Sequence, residues 1–211
     1  QQKVADLAFL TANYGETTIP ELAASLGDVI PVAVALGVKQ EEIMGAMATL
    51  TGVTGNTAEV TTQLKATMTE FMSPSDKMAK AVRALGYSSA AAMLESEGLQ
   101  GSLDILKASV NGDSVAFANL FGSVRAQTAV LSMAGAQSQK LTQYTKEMYN
   151  AAGTADKAFA RQTDNLEDRW NMLKNLGTNA LTEIGMEALP FLQEAAAILL
   201  PTMQDILPDI V

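Results

Sequence analysis

Carboxylates are the reactive groups this sequence supplies in number: 23 Asp and Glu against 14 Lys and Arg, with no histidine and no cysteine. There is therefore no imidazole base, no thiolate nucleophile, no ordinary zinc site and no disulfide. The densest acidic group is Asp164, Glu167 and Asp168, in which Asp164 and Asp168 share a helix face at i, i+4. Arg161 and Arg169 flank it, so a solvated charged face accounts for the group better than a cation site. Glu95 and Glu97 fall on different sides of a short helix and do not form an acid–base pair. No serine has a lysine three residues on, no glycine-rich loop ends in Gly-Lys-Ser/Thr, and neither a dinucleotide fingerprint nor a calcium loop is present. Trp170, Tyr144 and Tyr149 sit at helical spacing and read as core anchors rather than a ligand pocket. The expectation is a protein that is not an enzyme, with no cofactor and no metal.

The elements that must position these residues are all helical. The stretch 117–133 looks central, because Phe117, Leu120, Phe121, Val124, Thr128 and Leu131 recur at steps of three and four and give one apolar face. Gly122 interrupts that face at a cost of about 0.5–1 kcal/mol relative to alanine, which a close approach of a neighbouring backbone would offset. Arg125, one residue off the face, is expected to reach water along its aliphatic stem.

From the start of the chain, 3–13 predicts a helix with Val4, Leu7 and Ala8 on one side. Thr18 with Glu21 is a reciprocal cap, with Pro20 in the first turn. Gly27 and Pro31 break that helix near residue 28, and Leu36-Gly37 stops its second half with Val38 folding back. Glu41 and Glu42 begin a helix over 39–54. Asn56 with Glu59 begins another, striped by Val60, Leu64, Met68 and Phe71.

Ser73-Pro74-Ser75-Asp76 is the strongest start signal: Ser73 as cap, Pro74 as first helical residue, and a helix that ends at Leu85-Gly86. Ser88 caps a short helix to Glu95. Gly98 separates it from 99–110, and Asn111-Gly112-Asp113 turns the chain again. After Gly135 comes a helix with Leu141, Tyr144, Met148 and Tyr149. From Ala155 to about Ile184, Phe159, Leu166, Trp170, Leu173, Gly177, Leu181 and Ile184 keep a 3.6-residue period, a straight amphipathic helix about 45 Å long. No segment alternates as a strand. The fold class is all-α, a multi-helix domain of about nine or ten helices ending in that long amphipathic helix, with no sheet.

Hydrophobic residues make up 48% of the chain but aromatics only 5%, and there are 11 methionines. Such a core has few rigid anchors and much adaptable filler. The net charge of −9 repels nucleic acid. Residues 175–211 hold no Lys or Arg but carry Glu183, Glu187, Glu194, Asp205 and Asp209. The longest uncharged run, Ile43–Ala58, is studded with Thr, Gly and Asn, and Ala195–Gln204 is broken by Pro201, so neither spans a bilayer. The segment 186–211, with Pro190, Pro201 and Pro208, reads as kinked helical pieces. Both ends look like cuts in a longer protein.

LFGSVRA (120–126), read with its neighbours, resembles the core region of phage tail tape measure proteins. TTIPELAASLGDVIPVAVALGV (17–38) is similar to that family's opening helix pair and its Leu-Gly stop. KAVRALGY (80–87), GLQGSLDIL (98–106) and 153–185 followed by Leu189-Pro190 continue the likeness in order. Lys39 departs from it, since a small capping residue suits that helix start better. The positions carrying the resemblance are Leu36, Gly37, Leu85, Gly86, Phe121, Gly122, Val124, Arg125, Trp170, Leu173, Gly185 and Pro190.

The resemblance implies a tape-measure core domain over 1–190, with 191–211 opening a following apolar segment. It implies a ruler that fills the tail lumen, sets tail length and leaves before the DNA. Its implied partners are tail tube protein, tail tip and distal tail proteins and tail assembly chaperones. It also implies a homo-oligomer in the tail, a trimer being one arrangement. The implied place is the virion tail lumen, after assembly in the host cytoplasm, without specific nucleic-acid binding. The alternative, from another class, is a membrane-active helical module that contacts the host membrane and forms or aids a DNA-passage channel, suggested by the apolar, base-free 186–211.

Overall fold

The computed structural model describes residues 2–155, 157 and 158. They form ten α-helices, and there is no strand among the described residues. In chain order these are α1 (Gln2–Tyr14), α2 (Ile19–Leu26), α3 (Ile30–Ala35), α4 (Gln40–Thr54), α5 (Thr57–Met72), α6 (Asp76–Ala84), α7 (Ala90–Ser109), α8 (Ser114–Ala118), α9 (Val124–Met133) and α10 (Ser138–Tyr149). They build a compact unit that ends at Lys157. The long helix expected from 155 to 184, and the apolar pieces after it, lie outside the described residues.

The centre of the unit is α4, not the stretch around residue 121. It packs against α1, α5, α7, α9 and α10, and every residue from Ile43 to Thr51 is buried. A helix buried all round carries no amphipathic stripe, and small residues let its neighbours come close. The tightest crossing is at Gly45, where an added Cβ would lie 2.9 Å from Cα of Thr145 on α10. The close backbone approach expected at Gly122 is therefore found at Gly45. The buried hydroxyls are satisfied within their own helices: Thr49 donates to the Gly45 carbonyl at 2.7 Å and Thr51 to that of Met47 at 2.7 Å.

Local chemistry sets most of the helix ends. The Thr18 hydroxyl accepts the Glu21 N–H, and the Glu21 carboxylate accepts the Thr18 N–H at 3.0 Å. Asn56 caps α5 through the Glu59 N–H at 3.0 Å. At Lys39 only half of such a pair exists: Lys39 offers no acceptor, but Glu42 reaches back to its N–H. The Lys39 ammonium lies over the Tyr149 ring, 5.6 Å from its centre.

Two starts are displaced from their expected positions. Ser75, not Ser73, caps α6 by accepting the Met78 N–H at 3.1 Å, and Ser89, not Ser88, caps α7 through Ala92. Along α1, Leu7 is buried and Ala8 half-buried, whereas Val4 is 51% exposed. Val4 lines a shallow apolar groove with Leu26, Ile30, Val34, Val38 and Met44.

Gly98 breaks α7 at φ 71°, ψ 177°, a backbone region open essentially to glycine alone. Sequence pattern makes the break necessary. At 3.6 residues per turn, the apolar side of Ala90, Met93 and Leu94 and that of Leu99, Leu103 and Leu106 would point about half a turn apart on a straight helix. With the break, all six residues are buried in the same core. Glu42 holds the break in place: its carboxylate accepts the Leu99 N–H at 3.3 Å and fills the space a Gly98 side chain would occupy.

Candidate functional site

The Phe-Gly segment is a turn between two helices. α8 ends at Ala118, residues 119–123 turn, and α9 starts at Val124; the single helix expected over 117–133 is not formed. Amides of Leu120 and Phe121 bond three residues back, to the carbonyls of Phe117 and Ala118. Three side chains from separate elements then close the turn. Ser75, the α6 cap, donates to the Leu120 carbonyl at 2.6 Å. Gln127 of α9 donates to the Phe121 carbonyl at 2.7 Å. Glu70 of α5 accepts the Ser123 N–H at 2.7 Å, placing a negative charge at the positive end of α9.

Below the turn, the Phe121 ring meets Phe117 and Phe71 edge-on, at centroid distances of 5.7 and 6.2 Å. All three rings are buried. Gly122 has a different purpose from the one expected: a Cβ there would stand 3.2 Å from a Glu70 carboxylate oxygen. Glycine leaves room for the carboxylate, not for a backbone. Gly122→Ala is therefore expected to destabilise by up to about 1 kcal/mol in urea unfolding, because the capping carboxylate must retreat. A mid-helix glycine would give the opposite sign, a gain of about 0.5–1 kcal/mol on replacement.

The outer side of the turn corrects the expected apolar face. Val124 is 75% exposed, Leu131 is 38% exposed and Thr128 is exposed, while Ala126, Ala129, Val130 and Met133 are buried. Arg125 is exposed, as its place beside the face suggested, and borders an open groove with Lys65, Thr69, Glu70 and Ser123.

The two Leu-Gly stops have the same geometry. At the first, the Gly37 N–H bonds to the Val34 carbonyl and the Val38 N–H to that of Ala33; at the second, Gly86 bonds to Arg83 and Tyr87 to Val82. Gly37 and Gly86 take φ of 71° and 92°, so both are left-handed helix stops with the next apolar residue folded back. Leu36 is buried and Leu85 is 37% exposed. Trp170, Leu173, Gly185 and Pro190 lie outside the described residues, as do the Asp164–Asp168 carboxylates and the apolar 186–211.

Among the described residues no cluster of three or more acidic residues could hold a metal. Glu97 accepts the Tyr87 hydroxyl at 2.8 Å, and Glu95 lies against Gly37. Tyr144 stacks on Tyr14 with centroids 4.8 Å apart. The Tyr14 hydroxyl donates to Glu147, which pushes its pKa up to about 12 and holds the Glu147 carboxyl below its usual range. These groups fasten α1 to α10.

The model of the phage-related minor tail protein family matches residues 1–129. The chain belongs to that family. Its match takes in the buried α4, both Leu-Gly stops and the Phe-Gly turn. A probable tape measure protein of Clostridium phage phiCD119 is similar along 201 residues at 26% identity, which covers 92% of this chain and 21% of the relative. The chain thus spans about a fifth of the length of that curated relative. No solved structure matches. Family membership ties the chain to the phage tail.

Proposed function

We propose that this chain is a segment of a tape measure protein, the ruler that lies in the tail lumen, sets tail length and leaves the tube ahead of the DNA. The likeness to a probable tape measure protein along nearly the whole chain carries this reading. The charge supports it, since a chain at −9 does not retain DNA that must pass the same tube. Among the described residues no helix is long and apolar enough to cross a membrane, so the membrane-active alternative stands on 186–211 alone. Tail tube, tail tip and assembly chaperone proteins are the partners this role calls for, with several copies of the chain in each tail.

The role has a length signature. In-frame removal of whole helices from the parent protein should shorten tails by up to about 1.5 Å per residue where the chain lies extended as helix. Tail lengths measured by electron microscopy give the answer, and an unchanged mean length after deletion of α4 to α6 would show that this unit anchors rather than measures.

A further inference from the structure

Asp6 in α1 is 1% exposed, an unusual setting for a carboxylate. Its oxygens accept the N–H of Gly153 at 2.9 Å and of Ala155 at 2.8 Å, with the Thr154 hydroxyl at 3.5 Å. Among the described residues no cation pairs with it, because Lys3, one turn earlier, is taken by Glu41 at 2.6 Å. The backbone turns helical at 154, and the Lys157 N–H returns to the Gly153 carbonyl at 3.1 Å. Asp6 is thus the cap of this helix start, supplied from the opposite end of the sequence to donors the start would otherwise leave unpaired.

The character of this contact differs from the rest of the unit. Met148 and Ala151 are buried, at 1% and 3% exposure, and among the described residues are the last positions where apolar burial holds the chain. Residues 152–155 read Ala-Gly-Thr-Ala and bring no large apolar side chain. An open pocket lined by Gln2, Lys3, Met148, Tyr149 and Gly153 runs along the carboxylate. Separating 153–155 from α1 exchanges two backbone hydrogen bonds for water and exposes little apolar surface, so it costs far less than opening any core helix.

We infer that Asp6 is a clasp: it fastens the chain at 153–155 to the helical unit through polar bonds alone, and it releases that junction while α4 and α5 stay packed. The Ala155 and Gly153 amides hold its carboxyl below the ordinary 3.8, against the opposing effect of burial. Among the described residues, the charged and titratable groups around it are Lys3, neutralised by Glu41, and Tyr149. A lowered folded-state value means the stabilisation is complete above the unfolded value and is lost as pH falls through the folded one. The clasp is therefore shut at neutral pH, and displacement rather than mild acid opens it.

Amide hydrogen exchange on the full 211-residue chain tests this, with Asp6→Asn and Ala155→Pro compared with the parent. Ala155→Pro removes one donor in the first turn of the helix start, where the backbone N–H has no partner within the helix, and leaves α1 untouched. In each variant the Gly153 amide should exchange about tenfold faster or more, with protection in α4 and α5 unchanged. Should Asp6→Asn unfold the chain, Ala155→Pro decides alone. Unchanged exchange at Gly153 in Ala155→Pro, or loss of α4 and α5 protection in step with it, would overturn the clasp.

Discussion

Phe121→Ala should lower the stability of the unit by about 3–5 kcal/mol, the cost of removing a fully buried ring whose neighbours cannot close the space. The neighbours are fixed in this case. Phe71 stands in the last turn of α5 and Phe117 near the end of α8, both edge-on to Phe121, and such ring pairs add about 0.5–1.5 kcal/mol beyond burial. The turn above is also pinned by Ser75, Gln127 and Glu70, so it has little freedom to sink into the cavity. Urea unfolding followed by circular dichroism checks the loss. A methionine-rich core offers a contrast: Met93, equally buried, should tolerate Met93→Leu with a change below about 1.5 kcal/mol, because volume is nearly conserved. A Phe121→Ala variant as stable as Met93→Leu would mean that the phenylalanines are not anchors.

Gly98→Ala should be almost as damaging, for two separable reasons. Forcing a side chain into φ 71°, ψ 177° costs about 1–3 kcal/mol. The new Cβ would also collide with the Glu42 carboxylate, which must then give up the Leu99 and Lys39 amides, each bond being worth about 1 kcal/mol net. The total expected is about 3–5 kcal/mol. A Glu42→Ala background removes the collision but not the backbone strain, so the penalty of Gly98→Ala measured there should fall to about 1–3 kcal/mol. Equal penalties in both backgrounds would show that Glu42 has no part in holding the break. Both experiments are read from urea midpoints at constant slope.

These two positions also show how far the sequence could be read. Helix ends were legible where a side chain acts on its own backbone, as at Thr18 with Glu21, Asn56 with Glu59 and the two Leu-Gly stops. Gly98 was equally readable as the separator of two helices, although the half-turn change of apolar phase across it is the reason the break is needed. Ser73-Pro74-Ser75 offered two hydroxyls around one proline, and only the Leu120 carbonyl, far along the chain, selects Ser75.

The Phe-Gly segment misled because its turn keeps three-residue hydrogen bonds, so the apolar spacing runs on after the helix has ended. Ser123 just before Val124 was the available sign of a new start. The central place of α4 left no stripe to find, since a helix buried on every side shows only small size and lack of charge. That sign is present in the uncharged run from Ile43. Glu70 and Asp6 were not readable at all: their roles come from neighbours 53 and 147–149 residues away.

The tail-lumen role is tested most directly by what happens to this chain when a virion empties. Tails purified before and after DNA ejection can be compared by quantitative mass spectrometry, with tail tube protein as the internal standard. A ruler that leaves ahead of the DNA predicts peptides of this chain in intact tails and their depletion from emptied tubes. The same ratio to tube protein before and after ejection would contradict it, and would make the chain a fixed part of the tail wall or tip.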